Sequence, residues 1–88
     1  MHGNIEDKSV EKAIDGDADA FNEVYLRLRD TVYNFAYRML GRAPAAEDIT
    51  QETFMFLIER PEKYQRERGC SLSAFLCGVA RNKIMRLL

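Results

Sequence analysis

Residues 44–60 read PAAEDITQETFMFLIER and decide the fold of the chain. Apolar side chains recur in this stretch at intervals of three and four, which is typical of a helix with one side in a protein core. Proline suits the first turn of a helix, because its missing N–H has no partner there in any case. We therefore predict a helix from about Pro44 to Arg60. Its inward stripe consists of Ala46, Ile49, Thr53, Phe56 and Leu57.

The opposite side of this helix combines polar groups with apolar surface. It is lined by Asp48, Gln51, Glu52, Met55 and Glu59, with Phe54 and Ile58 at its border. Carboxylates and an amide beside apolar side chains orient a partner by charge around an apolar contact, which favours a protein interface. A solvated helix face is the alternative interpretation.

The preceding sequence also predicts helices, and no segment shows sustained strand alternation. Asn4 can cap a short helix that ends at Gly16, and Asp17 or Asp19 can begin a long helix that ends near residue 40. The apolar positions of the long helix are Phe21, Val24, Tyr25, Leu28, Val32, Phe35, Ala36, Met39 and Leu40.

The sequence after residue 60 predicts a loop and a last helix. Residues 61–71 are polar and lack periodicity, whereas Ser71 can cap a helix. The apolar stripe of that helix is Leu72, Phe75, Leu76, Val79, Ala80 and Leu87. We expect an all-α fold, a compact bundle of three main helices plus a short N-terminal helix, with a basic loop before the last helix.

Length and composition exclude several classes of protein. A chain of 88 residues fits one small domain, and 47% hydrophobic with 31% charged residues indicates a folded one. No apolar run is long enough for a membrane span and no signal peptide is apparent, so we expect a cytoplasmic protein. His2 is the only histidine and the thiols of Cys70 and Cys77 are too far apart to bridge each other. We therefore expect free thiols, no metal, no cofactor and no enzymatic activity.

The net charge of −1 hides a strong asymmetry along the chain. Residues 1–59 carry six basic and twelve acidic side chains, whereas residues 60–88 carry seven basic and two acidic ones. The first part is therefore at −6 and the second at +5. Such a division indicates a polyanionic partner for the C-terminal third, although two solvated faces of a helical protein would also explain it.

Three ordered blocks resemble region 2 of bacterial RNA polymerase sigma factors. Residues 45–54, AAEDITQETF, resemble the A-x-D-[LI]-x-Q-[ED]-x-F signature of that region. Residues 19–25 (DAFNEVY) and 32–36 (VYNFA) resemble the preceding helix. Residues 72–76 (LSAFL) and 79–82 (VARN) resemble the S-L-x-A-W-L-x-x-I-A-R-N helix that follows. The resemblance covers nearly the whole chain and is strongest to the short extracytoplasmic-function (ECF) type of the sigma-70 family.

The chain departs from the family pattern in three places. Phe75 stands where the family usually has tryptophan, which keeps a ring but removes an indole donor. Residues 83–86, KIMR, replace a run that commonly ends in Asp-x-x-Arg. The family's second promoter-binding domain, region 4, has no counterpart here. We therefore expect residues 1–88 to be a single region 2 domain, a part or a truncated version of a longer factor.

The resemblance implies two partners for the domain. In the family, the Asp-x-x-Gln-Glu face binds the clamp helices of the polymerase beta-prime subunit, which implies a polymerase-binding role here. That role falls to Asp48, Gln51 and Glu52, together with Phe54, Met55 and Ile58. The family also recognises and melts the minus-ten promoter element, with one non-template base held by the loop after the third helix. The corresponding DNA-binding residues are Tyr64, Arg66, Arg68, Arg81, Asn82 and Lys83.

Two questions stay open at this level. Tyr64 or Phe75 could stack on an unpaired base, but either could equally belong to the core, and Phe75 on the inward stripe favours the core. The whole chain could instead be a small helical protein-interaction adaptor or regulator that does not bind DNA. The resemblance adds an inhibitory anti-sigma factor as a candidate partner.

Overall fold

The computed structural model describes residues 10–64 and 70–88, and these form helices and connecting turns without any strand. Helix α1 is described over residues 10–14 and is followed by a turn at Gly16, whose φ of 98° is one that glycine adopts without strain. The expected cap at Asn4 lies outside the described residues. The all-α bundle is confirmed.

Helix α2, Ala18–Leu40, is the longest element. Asp17 is its N-cap, because the carboxylate of Asp17 accepts a hydrogen bond of 3.0 Å from the Ala20 N–H. The helix ends at Gly41, whose φ of 70° places it in the left-handed region and lets its N–H bond the Tyr37 carbonyl at 2.7 Å. Both ends therefore form where local sequence signals predict them.

Helices α3 and α4 complete the bundle. Helix α3 spans Ala43–Glu59 with Pro44 in its first turn, and a 3₁₀ turn, Pro61–Lys63, follows it. Helix α4 spans Leu72–Leu87, and the Ser71 hydroxyl caps it by accepting a hydrogen bond of 3.1 Å from the Ala74 N–H. Helix α2 packs against both α3 and α4, which also pack against each other.

The three long helices and α1 share one apolar core. Its buried members are Val10, Val24, Val32, Ala36, Ala46, Ile49, Phe54, Leu57, Leu72, Leu76, Ala80 and Ile84. Two threonines of α3 are buried with them, and each satisfies its hydroxyl by donating to the carbonyl four residues earlier, Thr50 at 2.8 Å and Thr53 at 2.7 Å. The core consequently contains polar side chains without leaving their hydroxyl groups unpaired.

Four sequence expectations about burial are wrong or only half right. Phe54, expected at the border of the polar side, is buried, whereas Phe56, expected inside, is half-buried. Leu87 is 65% exposed, and Ile84 takes the buried position in its place. Met39 is also exposed, although the next residue, Leu40, is half-buried against the core. The remaining predicted apolar positions of α2 are buried or half-buried.

Candidate protein-binding and nucleic-acid-binding surfaces

One exposed surface of α3, which we call the α3 face, carries most of the residues predicted to bind a protein. It consists of Asp48, Gln51, Glu52, Met55 and Ile58, all exposed to solvent. Met55 and Ile58 are 53% and 57% exposed, which is a large apolar area beside carboxylates. Helix α3 contains four acidic side chains and no basic one. The α3 face is therefore suited to a partner that offers basic groups around an apolar contact.

Phe54 does not belong to this face. The residue is 3% exposed, and its ring meets those of Tyr25 and Phe21 edge-on, at 5.0 Å and 6.4 Å between ring centroids. Edge-to-face contacts of this kind stabilise aromatic pairs in protein cores. In this structure Phe54 anchors α3 on α2 and cannot offer its ring to a partner, which corrects its assignment as a contact residue.

A groove between α2 and α3 borders the α3 face, and sequence reasoning missed it. Its volume is about 420 Å³, and Gln51 and Glu47 form one wall while Tyr25, Arg29 and Tyr33 belong to the other. The Arg29 guanidinium lies 5.9 Å from the centroid of the Tyr25 ring. On the side that faces α2, Gln51 therefore lines a groove that also contains charged side chains. Only the pairing of two helices creates it, so no local motif could have revealed it.

The described part of the loop after α3 is held against the core. The Tyr64 hydroxyl donates a hydrogen bond of 2.9 Å to the Cys70 carbonyl, and its ring lies 5.3 Å from that of Phe75. Both rings are half-buried and pack on the core, so the expectation that Phe75 belongs to the core is confirmed. Tyr64 joins the two ends of the loop. The predicted DNA-binding residues Arg66 and Arg68 lie outside the described residues.

An acidic side chain lies at the start of this basic loop. The pKa of Glu62 is held below its ordinary value, first by a hydrogen bond with its own backbone N–H and then by the Arg60 guanidinium. The Nε of Arg60 is 3.1 Å from the Glu62 carboxylate. At the start of the loop, Glu62 therefore pairs with Arg60 and offsets its charge.

Helix α4 presents the remaining predicted DNA-binding residues. Arg81 and Asn82 are exposed, and Lys83 is half-buried beside α3. A small cleft of about 140 Å³, which we call the α3/α4 cleft, is lined by Phe56, Val79, Asn82, Lys83 and Arg86. Sequence analysis did not assign Phe56 or Arg86 to a site. The cleft brings an aromatic ring, an amide and two cations together, the groups that bind unpaired nucleotides in many proteins.

The thiols and carboxylates add no further site to the described chain. Cys70 and Cys77 are free, as predicted, and partial burial raises the pKa of the Cys77 thiol. Among residues 10–64 and 70–88, no three His, Cys, Asp or Glu side chains cluster closely enough to hold a metal ion. None of the helices that the structure describes is both long and apolar enough to cross a membrane.

The fold and these surfaces define a small helical domain in which an acidic face and a basic helix adjoin. The family profile described as Sigma-70 region 2 matches residues 24–88. The chain belongs to the sigma-70 region 2 family, so the resemblance drawn from residues 45–54 and the blocks around them is confirmed.

Curated relatives place the chain with the ECF type of the family. It is 39% identical over 75 residues to the ECF RNA polymerase sigma factor BldN of Streptomyces coelicolor, covering 85% of this chain and 28% of BldN. It is 33% identical over 75 residues to the ECF factor SigW of Bacillus subtilis, covering 85% and 39% of the two chains. The ECF factor SigD of Mycobacterium tuberculosis is 32% identical over 88 residues, covering 96% and 41%. The chain thus spans less than half the length of these relatives, and no solved structure matches it significantly.

Proposed function

We propose that the chain acts in transcription initiation as the region 2 domain of an ECF-type sigma factor. In this proposal the α3 face binds the beta-prime clamp helices of RNA polymerase core, and the loop with α4 recognises and melts the minus-ten promoter element. The observation that carries it is the exposure of Asp48, Gln51 and Glu52 on the side of α3 away from the core. Co-purification of the 88-residue chain with core polymerase tests the first half.

The arrangement of α3 supports the polymerase half of the proposal. The core fixes the rotation of α3 through buried residues such as Ile49, Thr53 and Leu57. Asp48, Gln51 and Glu52 of the family signature then lie on the free side, about one to three helical turns from the apolar Met55 and Ile58. A helical partner could therefore meet charged and apolar contacts along one continuous strip.

The arrangement of α4 supports the promoter half. Arg81 and Asn82 are neighbours in sequence but have different surroundings, because Asn82 lines the α3/α4 cleft and Arg81 does not. An arginine fork holds phosphate regardless of sequence, whereas an asparagine amide offers donors and an acceptor to a base edge. The two exposed side chains are thus suited to different tasks on the same strand.

Melting requires that the domain bind single strands better than duplex. Opening a duplex costs about 1.4 kcal/mol per base-pair step. A protein without ATP hydrolysis offsets this cost only through its differential affinity for the opened state. Basic residues of the loop and α4 would supply affinity for the backbone, and a site for an unstacked base would supply the preference for single strands.

The logarithm of the binding constant for single-stranded DNA is expected to fall with the logarithm of the salt concentration, with a slope near −3. The slope follows from roughly four phosphate contacts, at about −0.7 per contact for single strands. The four proposed contacts are Arg66, Arg68, Arg81 and Lys83. Fluorescence titrations of a labelled oligonucleotide at several salt concentrations measure the slope, and duplex of the same sequence is the control. Equal affinity for duplex would contradict the proposed melting role, and no binding of either DNA would favour the adaptor interpretation.

Substitutions of Asn82 and Arg81 are expected to have effects of different kinds. Asn82→Ala should reduce the discrimination between a selected promoter sequence and its scrambled version by about 1–3 kcal/mol, because a base contact is lost. Arg81→Ala should weaken binding to both DNAs alike. It should also make the salt dependence of binding less steep, by about one unit of slope. Footprinting with polymerase carrying each variant, on promoters selected from a random pool, measures both quantities. Unchanged discrimination by Asn82→Ala would remove Asn82 from the recognition site.

A further inference from the structure

A mostly apolar pocket, which we call the α1/α3 pocket, lies where α1, the start of α2 and the end of α3 meet. Its volume is about 290 Å³, and its walls include Ile14 of α1, Phe21 of α2, Leu57 of α3 and Pro61 of the 3₁₀ turn. Concave, largely apolar sites with a few placed polar groups are typical of small-molecule binding. Apart from Ile58, the pocket shares no residue with the α3 face or the α3/α4 cleft.

The walls of this pocket are fixed by the core and by a tight turn. Val10 of α1 and Leu57 of α3 are buried in the shared core. Between α1 and α2 the chain turns at Gly16, and the Asp17 N–H donates a hydrogen bond of 2.9 Å to the Lys12 carbonyl. A ligand therefore meets walls that are already in place, which lowers the ordering cost of binding.

Asp17 gives the pocket a negative charge. Among the described residues that line the pocket, Asp17 is the only one with a charged side chain. Its Oδ1 atom accepts the capping hydrogen bond from the Ala20 N–H, and the carboxylate offsets the positive end of the α2 dipole. The second oxygen, Oδ2, can therefore pair with a cationic ligand while the cap stays intact.

The surroundings of the pocket strengthen this preference for a cation. Asp15 and Asp19 are exposed at the turn and in the first turn of α2. The last turn of α3 contains Glu59 and no basic side chain, and the C-terminal end of a helix itself favours positive charge. Arg60 follows, but its guanidinium is paired with the Glu62 carboxylate. An anionic ligand would therefore be repelled.

We propose that the α1/α3 pocket binds a small amphiphilic amine, which is an ammonium group on a compact apolar body. The apolar body displaces water from the pocket walls, and the ammonium group pairs with Asp17. The volume lies at the lower end of the range for ligand sites, so the ligand is a small molecule. A polyamine would leave the apolar walls uncovered, and a fatty acid would place one carboxylate beside another. The inference does not depend on polymerase binding or DNA binding.

The first test compares three ligands that share one apolar body: phenylbutylamine, phenylbutanol and phenylbutyrate. Each is titrated into the isotope-labelled 88-residue chain, and NMR follows the amide signals. Small ligands gain little affinity in total, so we expect a dissociation constant of about 1 mM for the amine. The alcohol should bind about two- to fivefold more weakly, because an exposed ion pair is lost, and the acid more weakly still.

The amide shifts caused by the amine should be largest at Ile14, Phe21 and Leu57. Equal binding of the amine and the acid would overturn the proposal. Amine shifts without a maximum at the pocket would overturn it as well, and so would their absence at about ten times the expected dissociation constant.

A second test fills the pocket. Ala18 is the exposed first residue of α2 and lines the pocket, whereas Ala43 is the exposed first residue of α3 and does not. Ala18→Leu should weaken binding of the amine by at least about fivefold, because the added side chain occupies the space of the ligand. Ala43→Leu is the control and should bind the amine as the parent does. Equal affinities for the two variants would contradict the assigned position.

A third comparison separates charge from shape. Asparagine caps helices about as well as aspartate, so Asp17→Asn keeps the bond to the Ala20 N–H and removes the charge. It should lower the affinity for the amine about two- to fivefold and leave that for the alcohol unchanged. Asp30→Asn, about 19.5 Å further along α2, is the control and should bind both ligands as the parent does. Circular dichroism checks the helicity of each variant. Unchanged affinity of Asp17→Asn for the amine would overturn the proposal.

Discussion

Replacing Gln51 and Glu52 together by alanine is expected to weaken binding to core RNA polymerase by about 30-fold or more. Both side chains are exposed on the α3 face, so replacing them does not change the packing of the core. Removing one partner of a charged hydrogen bond that becomes buried in an interface costs about 2–5 kcal/mol, mostly as faster dissociation. Each 1.4 kcal/mol is a tenfold change in affinity. Biolayer interferometry with immobilised core polymerase measures this loss directly.

The chain offers a matched control for this experiment. Asn22 and Glu23 on α2 form another exposed pair of an amide followed by a carboxylate. Replacing that pair by alanine removes the same chemistry from a different surface and should leave polymerase binding within about twofold, as expected for a surface change of up to ~0.5 kcal/mol. Melting temperatures should stay close to that of the parent for both double variants. If the variant at 51 and 52 binds polymerase as the parent does, the α3 face is not the polymerase-binding surface.

Ile84→Ala is expected to lower the free energy of unfolding by about 2–5 kcal/mol. Ile84 of α4 is fully buried in the core that the helices share, so truncation of its side chain leaves a cavity there. In a domain of this size each kcal/mol shifts the melting temperature by about 4–8 °C. We therefore expect a decrease of at least about 8 °C, measured by thermal denaturation followed by circular dichroism.

Leu87→Ala is the control for this core prediction. Leu87 lies on the same helix, three residues later, and is exposed. Its truncation should change the free energy of unfolding by no more than about 0.5 kcal/mol. The apolar stripe expected from the sequence includes Leu87 and omits Ile84, so it predicts the larger loss of stability for Leu87→Ala. Comparable losses for the two variants would show that the end of α4 packs differently from this structure.

The ends of the helices were predictable from the sequence because they depend on close neighbours. Asp17 and Ser71 cap α2 and α4 through hydrogen bonds to N–H groups three residues away. Gly41 ends α2 because it adopts a left-handed conformation that other residues rarely adopt. The signature residues Asp48, Gln51 and Glu52 were likewise predictable as an exposed set, since helical spacing places them opposite the buried Ile49, Thr53 and Leu57.

The border positions were not predictable in the same way. A residue at the edge of an apolar stripe is buried only if a neighbouring helix covers it, and the spacing within one helix does not contain that information. Phe54 is buried because Phe21 and Tyr25 of α2 meet its ring, whereas Phe56 lies at the less covered side beside α4. Ile84 and Leu87 differ for the same reason.

The sequence by itself determined the helical class, the helix ends and the family. Each of these depends on short-range hydrogen bonds, on the helical repeat or on ordered motifs within the chain. Tertiary structure alone decided which border side chains are buried, how the α2/α3 groove and the α3/α4 cleft form, and that Lys83 lies beside Glu52. Those features depend on the rotation and separation of packed helices, because side chains 31 residues apart in sequence meet only when the core has set the position of both helices.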